Sequence, residues 1–218
     1  AGGYPGSFGW KNASVLELDI KEGNPISRTV DVAYDLLGPE VNYDGPSYLA
    51  DNTTVVANAR VFDFTTPLEV VGREEFGKPS LVDVILKTTT RLGDRDKISL
   101  LGIYATDDYD RDLGSLFQAD DLVQNDTWSL SEDRILLGAT WEGLRGASTV
   151  VRSNAYVRSQ TRDRTVGRVV APGFGSDLPP TIDQLDQRRG LLTEDRDELE
   201  IGWRGEVRWA PVGGAVLS

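Results

Sequence analysis

Along most of this chain hydrophobic and polar residues alternate one by one. In "ELEIGWRGEVRW" Leu199, Ile201, Trp203, Val207 and Trp209 share one parity, and Glu198, Glu200, Arg204, Glu206 and Arg208 share the other. A period of two is that of a β-strand with one apolar and one wet side. The same alternation, with β-branched and aromatic residues, predicts strands at 14–20, 29–37, 53–65, 81–90, 97–106, 134–141, 148–159, 165–171 and 198–209. Gly205 interrupts the last apolar row and predicts a bulge or a close backbone approach.

The punctuation is of the same kind. "KEGNP", "YDGP", "RLGDRDK" and "WEGLRG" are turn clusters, and a link as short as 91–96 predicts an antiparallel hairpin. Helix is expected only at 114–124 and at 181–198, with Thr181 or Asp183 near the N-cap of the second. The fold class expected is all-β: an antiparallel jelly roll or β-sandwich barrel with long decorated loops and little helix. Residues 1–12, rich in glycine and aromatics, read as an N-terminal arm. Residues 13–218 read as a single β-barrel domain with loop insertions near 107–133 and 172–197.

Charge sharpens this picture. Aspartate and glutamate total 35 against 23 lysines and arginines, a net charge of −12. Aspartate outnumbers glutamate 23 to 12, and arginine outnumbers lysine 18 to 5. Acid excess with little lysine fits a protein adapted to molar salt, where a Debye length of about 3 Å suppresses self-repulsion. The acidity argues against a nucleic-acid partner, which needs a basic face. The arginines of "RSNAYVRSQTRDRTVGR" (Arg152, Arg158, Arg162, Arg164, Arg168) are expected to pair with carboxylates. No apolar run approaches the 18 residues of a spanning helix, so no membrane span is expected. The lack of methionine points to a processed N-terminus, and the opening residues lack the regions of a signal peptide.

Several chemistries are excluded outright. Without histidine or cysteine there is no Ser-His-Asp or Cys-His triad and no ordinary zinc site. No phosphate-binding or dinucleotide loop is present. Hydrolysis of glycosides by paired carboxylates needs only Asp and Glu, with Glu69, Glu142 and Glu206 as candidates. "YATDDYDRDLGS" places Asp108, Asp110 and Asp112 at calcium-loop positions 1, 3 and 5. Leu113 then stands where glycine is needed and Ala119 where a bidentate glutamate belongs. The Asp107–Asp112 stretch therefore reads as acidic surface, like "RLGDRDK" and "LTEDRDELE". Asn12, Asn52 and Asn125 begin glycosylation sequons. Trp203 and Trp209 are expected in the core, and Tyr4 and Trp10 as pegs for a neighbouring subunit.

The strand layout over "SLVDVILKTTTRLGDRDKISLLGIYATDD" and "ELEIGWRGEVRWAPVG", with the halophile-type composition, resembles the single-β-barrel major capsid proteins of icosahedral, internal-membrane haloarchaeal viruses. That resemblance implies a structural virion protein and not an enzyme. It further implies a jelly roll that associates with itself and with a second capsid protein in high salt, close to an internal membrane. It carries over no catalytic, cofactor or metal residue. The alternatives are an extracellular or surface-layer glycan-binding module of a halophile, and a carboxylate-dependent glycosidase.

Overall fold

A computed structural model describes residues 20–73, 76–111, 126–169 and 189–209. They form eight strands: β1 (Thr29–Tyr34), β2 (Pro39–Pro46), β3 (Thr53–Asp63), β4 (Lys78–Leu92), β5 (Asp96–Arg111), β6 (Asp126–Arg145), β7 (Thr149–Val169) and β8 (Arg189–Trp209). The single described helix, α1 (Thr65–Val70), lies between β3 and β4. The expected all-β, antiparallel, helix-poor architecture is what the chain forms.

The strand order is strictly sequential, β1 to β8, in one antiparallel sheet. A jelly roll places two sheets face to face through Greek-key crossings, and the described residues contain neither. Each connection joins neighbours, so successive connections alternate between the sheet's two ends. At one end lie 47–52, 93–95 and 146–148; at the other lie 35–38, 64–77, 112–125 and 170–188. These are the turn end and the loop end. Gly93 and Gly146 open the two three-residue turns with φ of 70° and 71°, a conformation that penalises any Cβ.

Several sequence expectations need correction. The strands at 148–159 and 165–171 are one strand, β7. β2 runs through "YDGP", expected as a turn, because Gly45 and Pro46 pair with Val55 and Thr54. The insertions expected at 107–133 and 172–197 are shorter: residues 107–111 belong to β5, 126–133 to β6 and 189–197 to β8. In these strand ends the apolar row of the rest of the strand gives way to residues such as Asp108, Ser131 and Asp195, so the pattern does not carry the strand onward. For the same reason the helix expected at 181–198 gives way to strand from Arg189 onward. Gly205 makes no bulge: the register passes through Ser153↔Gly205 unbroken, and the close approach there is the Trp203 ring, 3.1 Å from where a Cβ would stand. The arm at 1–12, the helix at 114–124, Tyr4, Trp10, Asn12, Asp112 and Asn125 lie outside the described residues.

Among the described residues there is no interior. The accessible surface is 15,518 Å², against about 9,900 Å² for a compact monomer of this mass. No large described side chain is fully buried. Trp203 and Trp209, expected in a core, are 73% and 48% exposed, because a single sheet layer has nothing to lay over its apolar face.

The turn geometry makes a direct prediction. Gly146→Val forces a β-branched residue into the left-handed region and is expected to lower unfolding free energy by about 1–2 kcal/mol. Denaturant unfolding measures it, and Ala147→Val in the same turn serves as the comparison.

Candidate functional site

The register assigns every strand residue to one of two faces. One face is rich in charged residues, with apolar ones such as Ile85, Ile103 and Leu136 set among them. Its rows include Asn42–Asn58–Ile85–Ile103 near the middle, Leu81–Asp107–Glu132–Arg162–Arg196 higher, and Lys97–Glu142–Arg152–Glu206 near the turn end. Ion pairs cross-link the strands along it. Arg60 reaches Asp83 at 2.8 Å, Lys97 reaches Glu142 at 3.2 Å, and Arg158 lies 3.7 Å from Glu200. The expectation that the β7 arginines pair with carboxylates holds: Arg152 lies 3.8 Å from Glu142, Arg162 2.8 Å from Glu132 and Arg164 3.9 Å from Glu194.

Glu132 is the hub of this face. Its side chain is 4% exposed. Arg162 Nε donates to its Oε2 at 2.8 Å and Gln160 Nε2 to its Oε1 at 2.8 Å. Arg134 donates to Oε1 as well and bridges onward to Asp107. Burial pushes the Glu132 carboxyl up, but the hydrogen bonds from Arg162 and Arg134 outweigh it and hold the group below the ordinary glutamate value. Three strands, β5, β6 and β7, are thereby tied through one carboxylate.

The segment before β1 also rests on the polar face. The Lys87 ammonium donates to Ile20 O, Lys97 donates to Glu22 at 2.8 Å, and Lys21 pairs with Asp44. Gly23 lies so close to Val55 O that a Cβ would stand 2.7 Å from it.

The other face changes character along its height. Its lower rows are apolar: Ala57–Leu86–Gly102–Leu137–Val157–Ile201, and next to it Ala59–Val84–Tyr104–Ile135–Ser159–Leu199. Nearer the turn end come Leu100, Trp203, Ile98, Trp141, Val207 and Trp209. Leu137 is 58% exposed and Ile201 73%. Above them the face becomes acidic and hydroxylic within a single step. The row Thr106–Asp133–Thr161–Asp197 is followed by Ser80–Asp108–Ser131–Asp163–Asp195.

The burial of the two faces is inverted relative to a water-soluble sheet. On the polar face Thr89, Glu132 and Gln160 are buried, while the large apolar side chains of the opposite face stand open. Polar groups are crowded and most are paired, and hydrocarbon is presented outward.

The remaining candidates fall into this frame. Asp107 points to the polar face, where Arg134 holds it, and Asp108 and Asp110 point to the opposite one. Asp108 and Asp110 share a face but stand in the extended backbone of β5, paired with β4 and β6, and not in a loop. The described residues hold no cluster of three acidic groups able to bind a metal. Glu142 and Glu206 flank Arg152 in one row, each engaged by cations, while Glu69 lies in α1 at the loop end. The structure does not bring the three together. Asn52 is exposed in the β2–β3 turn with φ 53°. No described helix is long and apolar enough to cross a membrane. The uncovered apolar face is what sequence reading missed. The alternation itself was visible; what hides in a sequence is whether a second layer covers it.

Comparison with protein-family models, characterised proteins and solved structures returns no match.

Glu132 yields a prediction with a sign. Its folded value lies below its unfolded one, so its contribution is complete above the unfolded glutamate value and is lost as pH falls through the folded value. Over that acid window wild type is expected to lose stability more steeply than Glu132→Gln, measured by thermal unfolding from neutral to acid pH. At neutral pH the substitution takes the carboxylate from Arg162 and leaves Arg134 with Asp107 alone. It is expected to cost about 2–3 kcal/mol, the low side for a buried pair because both arginines are partly solvated.

Proposed function

We propose that this chain forms part of the wall of a membrane-spanning β-barrel, with its apolar face against lipid and its charged face toward an aqueous interior. The observation that carries the reading is the uncovered apolar band with its sharp acidic border. Apolar surface of this extent marks a protein or membrane contact.

Dimensions support lipid. From Leu199 to Trp209 the band spans 11 residues of β8, and from Val82 to Leu92 it spans 11 of β4. A transmembrane strand needs about 9–11 residues at a tilt near 45°, which gives an apolar belt about 25 Å tall. Above the border the same face of β6, β7 and β8 continues with aspartate, serine and threonine, as a lipid-facing surface does on leaving hydrocarbon for water. The three-residue turns at 93–95 and 146–148, opposite the connections of 14 residues or more that join β3 to β4, β5 to β6 and β7 to β8, are a further barrel trait. The charged face with Glu132 at its hub matches a polar lumen.

The expectation of no membrane span rested on the length of apolar helical runs. Strands span with about half as many residues and show alternation in place of a run. The sheet supplies a wall and not a closed barrel: among the described residues β1 and β8 do not pair, and β1 has 6 residues to the 21 of β8.

A capsid or other assembly subunit is the second reading, and the same apolar face favours it, since two such sheets packed face to face would bury it. That arrangement leaves the confinement of the apolar residues to a belt of membrane height without a reason.

Lipid decides between them. In vesicles containing brominated phospholipid, Trp203 and Trp209 fluorescence is expected to be quenched. Leu137→Arg, in mid-belt, is expected to cost about 2–4 kcal/mol of stability in the bilayer, whereas Asp163→Arg, above the border on the same face, costs little. Absence of quenching, together with regular assembly in aqueous molar salt without lipid or detergent, would overturn the membrane reading in favour of the capsid one.

A further inference from the structure

The balance of charge on the polar face breaks at the loop end. Lower down, Arg60 has Asp83, Arg134 has Asp107 and Arg162 has Glu132 within hydrogen-bonding distance, and Arg158 faces Glu200 at 3.7 Å. Above the Glu132 row the described side chains of this face offer Arg111 and Arg164 against Glu194 alone. Glu194 lies 3.9 Å from Arg164, too far for a hydrogen bond. Asp108 and Asp110, though close in sequence, project from the opposite face.

Two polar atoms here lack partners. Arg111 Nε and Arg164 Nε are both buried and without a hydrogen bond. Arg60 Nε is also unpartnered, but its guanidinium is neutralised by Asp83 and lies over the Phe62 ring. Trp128 stands between the first two. It pairs directly with Arg111 across β5 and β6, and Arg164 Cζ lies 5.4 Å from its ring centroid. Tyr109 packs on the indole at 5.2 Å, its ring fixed by donation from its hydroxyl to Phe76 O at 2.6 Å. The indole itself remains 41% exposed.

The Nε atoms are enclosed, but the Arg164 side chain is 43% exposed, so its outer guanidinium nitrogens are open to an acceptor, and a carboxylate or phosphate oxygen is the one that two guanidiniums and a local positive excess favour. We propose that Arg111, Trp128 and Arg164 form a binding site for an oxyanion-bearing solute. Its oxygens accept from the two arginines, and its apolar body lies against the indole. The site stands on the polar face alone and holds whether or not the opposite face meets lipid.

The test uses the full chain in whichever medium, detergent or aqueous salt, the lipid experiment shows it folded. Sodium benzoate and inorganic phosphate are titrated at moderate ionic strength while tryptophan emission is followed. A saturable change is expected with both, and Trp128→Phe is expected to remove it. Charged hydrogen bonds of this kind make Arg111→Gln and Arg164→Gln each weaken binding about tenfold or more, while Arg60→Gln leaves it unchanged. Arg111→Lys and Arg164→Lys are read alongside. They keep the charge, so retained phosphate binding with weakened benzoate binding shows that the fold survives and that the fork geometry matters. Tighter benzoate than phosphate assigns the indole to the solute's apolar body, and equal affinity assigns the oxyanion alone. A response that never saturates, or one untouched by the Arg111 and Arg164 changes, overturns the site.

Discussion

Everything in this molecule follows from one constraint: a sheet one layer thick whose apolar face has nothing within the described chain to bury it. In a sandwich or a helix-covered sheet, burial of that face drives folding. Here Leu199, Ile201 and Trp203 stand open to whatever surrounds them. The hydrophobic term must therefore come from the environment, and the chain's own bonds must hold the layer together in the meantime. Those bonds are the backbone ladders of seven antiparallel pairings and the side-chain network of the opposite face.

The polar face shows how such a layer is tied. Along β7 arginine recurs at alternate positions and meets carboxylates from β6 and β8, so that each ion pair is also a strand-to-strand link. A single exposed pair of this kind contributes little. Glu132 differs because it is enclosed and receives donors from β6 and β7 together, while Arg134 extends the link to β5. The same segregation accounts for the charge. Arginines concentrate on the face where carboxylates answer them, while the aspartates of the opposite face, above its apolar belt, go largely unanswered. Much of the −12 therefore lies on surface directed to water, consistent with the halophile-like composition.

A good deal of this was legible in the sequence. The alternation in "ELEIGWRGEVRW" and the turn in "RLGDRDK" place β8 and the β4–β5 hairpin directly, and the arginine run of β7 announces its pairing with acids. Four things were not. In the extensions at 107–111, 126–133 and 189–197 the apolar row gives way to aspartate, serine and threonine, and so they resemble loops. β2 is hidden behind Gly45 and Pro46, residues that ordinarily mark turns. Most consequential, parity tells that Trp203 and Trp209 share a face but not that the face lacks a cover. The jelly-roll expectation assumed a second layer, and the tryptophans were placed in a core on that assumption. The Arg111–Trp128–Arg164 cluster was invisible for another reason: its members come from three strands and meet only through the register.

The measurement that reaches the central claim most directly is a nitroxide scan along β8, one labelled cysteine at a time from Asp195 to Trp209, in vesicles. Accessibility to oxygen, which concentrates in lipid, is compared with accessibility to a water-soluble nickel reagent. The account predicts a period of two, with oxygen dominant at 199, 201, 203 and 207. It also predicts a change to nickel dominance at 195 and 197, where the acidic border is crossed. An oscillation without oxygen dominance, or water access at every position, would contradict a lipid-facing sheet.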